Sequence, residues 1–192
     1  MSKIEVDAIE PQSGTSLTLG ASGDTITIPS GATITNSGTA TGFGTNTPAF
    51  FARKTSNQNI TDATVIKCTF DSEDYDVGSC FDLGNSKFVV PSSQAGKYIF
   101  YGGLDMNANA NQQLGAAIVY IYKNGSIVSD FIADYTTNPI SQFNYLWKDS
   151  FDLLAADYIE IYAYIDDTSG TPTINSDSTK HRTFFGGYKI IE

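Results

Sequence analysis

The sequence is short of the residues that most often carry chemistry. It has one histidine, one tryptophan, two cysteines and two methionines in 192 residues. The histidine, His181, sits between Lys180 and Arg182 in a polar stretch. A Ser-His-Asp arrangement needs a base held in a cleft by a carboxylate, so this residue reads as an exposed loop histidine. Cys68 and Cys80 fit no zinc spacing. They are either two buried free thiols or a disulfide between neighbouring strands. Basic residues are also few, with 11 Lys and Arg against 21 Asp and Glu, a formal charge of −10 and a pI near 4.3. No basic run exists, so a phosphate backbone or an anionic membrane surface is repelled. The longest apolar run, Ala116 to Tyr122, is far too short for membrane insertion. No signal-peptide hydrophobic stretch opens the chain, which leads us to expect synthesis in a cytoplasm. A phosphate-cradling loop, a dinucleotide fingerprint and a collagen Gly-x-y repeat are all missing. Helical periodicity never lasts beyond a turn or two.

What is present is strand material. Tyrosine (11) and phenylalanine (12) dominate the large residues, and 17 glycines supply turns. Beyond residue 48 the pattern predicts strands over Ala49 to Arg53, Val65 to Phe70, Lys87 to Val90, Tyr98 to Leu104, Ala116 to Tyr122 and Ser126 to Ile132. Three more are predicted over Phe143 to Asp152, Tyr158 to Tyr164 and Thr183 to Ile191. Asn124-Gly125 between two of them is the strongest short hairpin signal. Many short strands in one such stretch imply an all-β sandwich or jelly roll.

The first 43 residues have a different texture. They are rich in Gly, Ser and Thr and carry no aromatic residue before Phe43. Aliphatic beats at Ile4 and Val6, Leu17 and Leu19, Ile26 and Ile28, and Ile34 alternate with turn clusters at residues 12–14, 20–24, 29–31 and 36–38. Each beat predicts a strand of three to five residues with one apolar face. A single chain has too few aliphatic side chains here to offset the entropy of ordering the backbone. Either the segment is a flexible linker or identical chains complete its core as an intertwined stem. The domain plan is therefore an anchoring segment over 1–12, suited to strand addition or else a frayed terminus, a trimeric β stem over 13–47 and a head over 48–192.

Within the head, an ordered set of motifs resembles the complement globular-head (C1q-like) domain. Ala49-Phe50-Phe51-Ala52 resembles its opening strand, and Phe88-Val89-Val90-Pro91 followed by Gly96-Lys97-Tyr98-Ile99-Phe100 resembles its central signature. Ile121-Tyr122-Lys123-Asn124-Gly125 resembles its hairpin, Leu153-Leu154-Ala155-Ala156-Asp157-Tyr158-Ile159 the approach to its next strand, and Phe184-Phe185-Gly186-Gly187-Tyr188 its closing strand. Ala156 stands where glycine is usual. The resemblance implies a ten-stranded C1q/TNF-like jelly roll that assembles as a homotrimer on a stalk. The Gly/Ser/Thr-rich opening, in turn, resembles the stems of bacteriophage tail fibres and virion appendages.

Candidate binding residues fall in polar loops. Asn107, Asn109, Asn111, Gln112 and Gln113 offer amides that donate and accept, which suits sugar hydroxyls, and Asp134 and Asn138 lie in a similar segment. Two acidic clusters are candidates for calcium or else for plain solvated loop charge: Asp71, Glu73, Asp74 and Asp76, and separately Asp166 and Asp167. The aromatic stripe Phe100, Tyr101, Tyr120, Tyr122, Tyr162 and Tyr164 reads as core or subunit interface, or alternatively as an exposed sugar-stacking platform. The functional expectation is a non-enzymatic virion fibre, its N-terminus docked to other virion proteins and its head on a host-surface glycan or protein. A decoration or joining protein of capsid or tail is the alternative, and a polysaccharide depolymerase a more distant one. No catalytic residue, and no cofactor other than calcium, is expected.

Overall fold

A computed structural model describes residues 9–11, 13–38 and 46–190. The chain divides into two units, residues 1–43 and residues 44–192. Of the anchoring segment expected over 1–12, only residues 9–11 fall among those described.

In the first unit, turns form at the glycine clusters. Gly14, Gly20, Gly23 and Gly31 adopt φ of +77°, +80°, +94° and +86°, a region that glycine enters without a Cβ penalty. Asp24 closes one turn, its carboxylate accepting from the Ala21 N–H at 2.7 Å while its own N–H donates to the Ala21 carbonyl at 3.0 Å. The short strands expected between the turns are not formed in the single chain over residues 13–38. Leu17, Leu19, Ile26, Ile28 and Ile34 instead stand exposed, Ile34 at 71%. The reason is physical: a lone segment has no sheet edge to pair with and no second layer to bury against.

The second unit is a two-sheet β-sandwich. Its strands are β1 (Ala49–Arg53), β2 (Gln58–Asn59), β3 (Ile66–Lys67), β4 (Ser72–Val77), β5 (Phe81–Asp82), β6 (Lys87–Val89) and β7 (Gly96–Asn107). They continue with β8 (Leu114–Lys123), β9 (Ser126–Asp134), β10 (Gln142–Leu153), β11 (Tyr158–Asp167), β12 (Thr173–Asn175) and β13 (Phe184–Lys189). The first sheet runs β2-β12-β7-β13-β1-β4, with β10 on the other side of β7; the second runs β5-β6-β11-β8-β9, with β3 added to β11. Every pairing is antiparallel. The jelly-roll reading of the head therefore holds. Among the described residues thirteen strands stand where ten were expected, because several are pieces of two or three residues.

Alternation builds the core. In β1, Phe50 and Ala52 point inward with no exposure while Phe51 points outward. Phe50 stacks on Phe81 at 4.8 Å between centroids and meets Phe185 edge-on at 4.9 Å. Phe88 and Phe100 complete an aromatic centre between the sheets. Gly102 of β7 makes room for Trp147 on the neighbouring β10, since a Cβ there would lie 2.4 Å from the indole.

The sandwich has two unlike ends. The chain enters at Ala49, opposite Tyr188, which in turn lies opposite Ile99 near the start of β7. At the other end, Asn107 pairs with both Gln142 and Thr173, and Leu114 pairs with Asp167. The loops 108–113, 135–141 and 168–172 gather at this end.

Candidate recognition surfaces

The loop end brings most of the sequence-selected amides together, but it uses them internally. Asn107 Oδ1 accepts from the Asn109 N–H at 2.7 Å, and Asn109 Nδ2 donates to the Thr171 carbonyl at 2.9 Å. Ser141 Oγ donates to Asn111 Oδ1 at 3.1 Å and accepts from the Gln112 N–H at 3.0 Å. Thr168 Oγ1 donates to Gln113 Oε1. These bonds tie three loops into one cap, so the amides act first as structural ties. Asp134 caps its own turn, accepting from the Thr136 N–H and hydroxyl, and those bonds hold its carboxyl below the usual range. Asn138 is exposed, its N–H donating to the Tyr135 carbonyl at 2.9 Å.

Beneath the cap lies a buried polar knot that the sequence did not single out. Asp105, 2% exposed, accepts from Gln142 Nε2 at 2.5 Å, from Arg182 at 3.0 Å and from Asn175 Nδ2 at 3.4 Å. It sits where β7 leaves β13 and takes up β12. Nearby, Asp167 is 7% exposed and its Oδ2 has no partner among the described residues. Burial, then Asp62 and Asp166, push its carboxyl above the usual value.

The first acidic cluster is not a loop. Glu73, Asp74 and Asp76 lie on β4, an edge strand paired to β1, and each side chain has its own surroundings. Asp71 accepts from Thr55 and Ser56 through both N–H groups and both hydroxyls. Asp76 accepts from the Cys80 and Phe81 N–H groups at 2.9 and 3.2 Å. Asp74 faces Arg53 at 2.7 Å and His181 Nε2 at 3.0 Å. Among the described residues, no three His, Cys, Asp or Glu side chains converge as a metal-ligand group. His181 is half exposed and packs 4.9 Å from the Phe51 ring. Cys68 and Cys80 are free and buried. Burial raises the Cys68 thiol to about 12, and burial with the nearby Asp76 carboxylate raises Cys80 further.

The aromatic stripe splits three ways. Phe100 is core. Tyr101 lies on the outer face of the first sheet with Phe51, Tyr75, Phe184 and the exposed Leu146. The rings lie flat there because the cross-strand neighbours are glycines: a Cβ on Gly186 would be 2.7 Å from the Tyr101 ring, and one on Gly103 2.6 Å from Phe184. Tyr120, Tyr122, Tyr162 and Tyr164 occupy the outer face of the second sheet, where the Tyr122 and Tyr162 centroids are 4.1 Å apart.

With this geometry established, the sandwich is similar to solved jelly-roll domains. The globular domain of zebrafish complement 1qA protein matches with a TM-score of 0.53 and 14% identity, covering 74% of this chain and 97% of that one. Murine APRIL at pH 8.5 matches with a TM-score of 0.50 and 13% identity over 74% and 98%. An Eiger TNF from S. frugiperda gives 0.50 and 12% over 74% and 91%. No protein-family model and no curated protein matches the sequence. The likeness establishes a C1q/TNF-type fold for the head.

Proposed function

We propose that the chain is a non-enzymatic homotrimer, a short virion fibre of a bacteriophage whose head recognises a host-surface glycan or protein. The observation that carries the assembly is the outer face of the first sheet. Half-buried aromatics of β1, β7 and β13, flanked by the exposed Tyr75, Val77 and Leu146 at 45%, 48% and 68%, make an apolar surface that one copy leaves partly in water. The exposed aliphatic beats of residues 13–38 ask for the same partners, since identical chains supply the missing second layer. The C1q/TNF-type fold of the head agrees with threefold assembly. The virion role is supported by the stem's resemblance to phage appendages and by the acidic charge, which turns away nucleic acid and anionic membranes. The loop end lies opposite the point where the chain joins the head, so the head stands free to meet a surface. Three identical weak sites on one trimer gain avidity through effective concentration.

Light scattering on the purified full chain tests the assembly, with a mass three times 20.7 kDa expected and a folded 20.7 kDa species contradicting it. Labelled trimer retained on bacterial cells separates recognition from a decoration or joining role, in which no retention is seen. Release of reducing sugar from cell-surface polysaccharide would reveal a depolymerase instead.

A further inference from the structure

We propose that the outer face of the second sheet is a carbohydrate platform that takes an uncharged glycan. The inference deepens the reading of the head as a recognition module, and rests on it. Register arranges the face as a grid. Asp130, Tyr120, Tyr162 and Lys67 stand in one row across β9, β8, β11 and β3. Ile132, Ile118 and Tyr164 form the row on one side of it, and Ile127, Tyr122, Glu160 and Lys87 the row on the other. Neighbouring strands are about 4.8 Å apart and alternate residues about 6.7 Å, so the four half-buried tyrosines share one patch about as wide as a short run of sugar rings, with Tyr122 and Tyr162 packed ring against ring at 4.1 Å.

Two features select the ligand class. A tyrosine offers an apolar ring face for the C–H face of a sugar and a hydroxyl at its tip for the ring substituents. The hydroxyls of Tyr120, Tyr162 and Tyr164 are raised above the ordinary phenol value, mainly by burial and then by neighbouring acidic groups, and that of Tyr162 is bonded to Glu160. Charge supplies the second feature. The two lysines bordering the rings are both engaged, Lys67 by Glu160 at 2.5 Å and Lys87 over the Tyr158 ring at 5.2 Å. Asp130 and Asp166 remain at the margins as acceptors for sugar hydroxyls, and they repel an anionic chain. The amides of Asn109, Asn111 and Gln113, by contrast, are engaged by Thr171, Ser141 and Thr168 of the neighbouring loops. The first sheet's outer face is taken by neighbouring copies in the trimer, which leaves this face free.

The test is an array of uncharged and anionic bacterial-surface glycans probed with the full-length trimer, alongside retention on bacterial cells. Binding to uncharged glycans is expected, with none to anionic ones. A Tyr120→Ala/Tyr162→Ala variant of unchanged assembled mass should lose roughly tenfold or more in apparent affinity. Gln112→Ala in the cap should stay near wild type, and Tyr162→Phe, which keeps the ring and removes the hydroxyl, should lose less than the double variant. Binding confined to anionic glycans, or an unaltered double variant, overturns the proposal. Cell retention that survives the double variant also overturns it while leaving head recognition intact. A wild-type trimer that binds neither glycan nor cell removes both readings together.

Discussion

At the residue scale, burial rather than exposure decides which ionisable groups matter. Asp167 is a carboxylate in the wrong place at neutral pH, nearly buried, beside Asp62 and Asp166, with one oxygen unpartnered among the described residues. Its folded value lies above its unfolded one, so the neutral form favours the fold. That stability is present below the unfolded carboxyl value near 4 and is lost as pH rises through the raised folded value. Asp167→Asn should therefore raise the midpoint of denaturant unfolding at pH 7, by about 1 kcal/mol for relief of an unpaired buried charge, and the gain should shrink below pH 4. Asp157 is the opposite case. Bonds from Asn124 and Lys123 lower it to about 2, so its contribution is present above the unfolded value and is lost as pH falls through about 2. Asn124→Ala removes Nδ2–Asp157 Oδ1 at 2.7 Å and the bond from Tyr158 N–H to Asn124 Oδ1 at 2.9 Å. It should cost about 1–2 kcal/mol at pH 7 and clearly less at pH 3, read by denaturant titration at both pH values. Sequence alone marked Asn124 only as a turn residue. That its side chain also locks β11 in place depends on a partner more than thirty residues away.

At the element scale, what was legible in the sequence follows one rule. Strands with one face in the core announce themselves through alternation, as Ala49-Phe50-Phe51-Ala52-Arg53 does, and β1 has the predicted bounds. The long strands β7, β8, β10 and β11 were found from their alternating or aromatic-rich centres, though each extends beyond its predicted bounds. β4 was missed because Ser-Glu-Asp-Tyr-Asp-Val packs no side chain into the core. An edge strand with its side chains in or near solvent has no apolar beat, and its carboxylates looked like a loop. β2, β5 and β12 are two or three residues long, below the length at which any period exists. The cap amides were selected as a group from composition, but which of them are tied down depends on contacts between loops far apart in the chain, which no local pattern encodes. Glycine placement repeats the point. Gly102 reads as a weak spot inside a strand, yet the indole of Trp147 lies where its Cβ would be. Gly102→Ala should destabilise the head by about 1–3 kcal/mol, as overpacking does, measured as a fall in the unfolding midpoint with an unchanged slope.

At the scale of the whole molecule, the two outer faces of the sandwich differ in chemistry, and this difference sorts their roles. The first sheet presents Phe51, Tyr101 and Phe184 beside glycines that let the rings lie flat, with Leu146 exposed at the β10 edge. The second presents tyrosines between paired charges. A face of the first kind loses most by staying in water, at about 25 cal/mol per Å² of apolar surface. A face of the second kind tolerates solvent. Placing a charge at the centre of the apolar face should therefore separate subunits without unfolding them, because Phe51 contributes nothing to the inward face of β1. Phe51→Glu is expected to convert the assembled species toward single chains of 20.7 kDa at micromolar concentration, with the far-ultraviolet β signature of the head retained. The control is Ile118→Glu on the second sheet's outer face, which should leave the mass unchanged. If Phe51→Glu stays trimeric while Ile118→Glu dissociates, the assignment of the two faces is reversed, and the tyrosine grid becomes the subunit interface rather than an open surface.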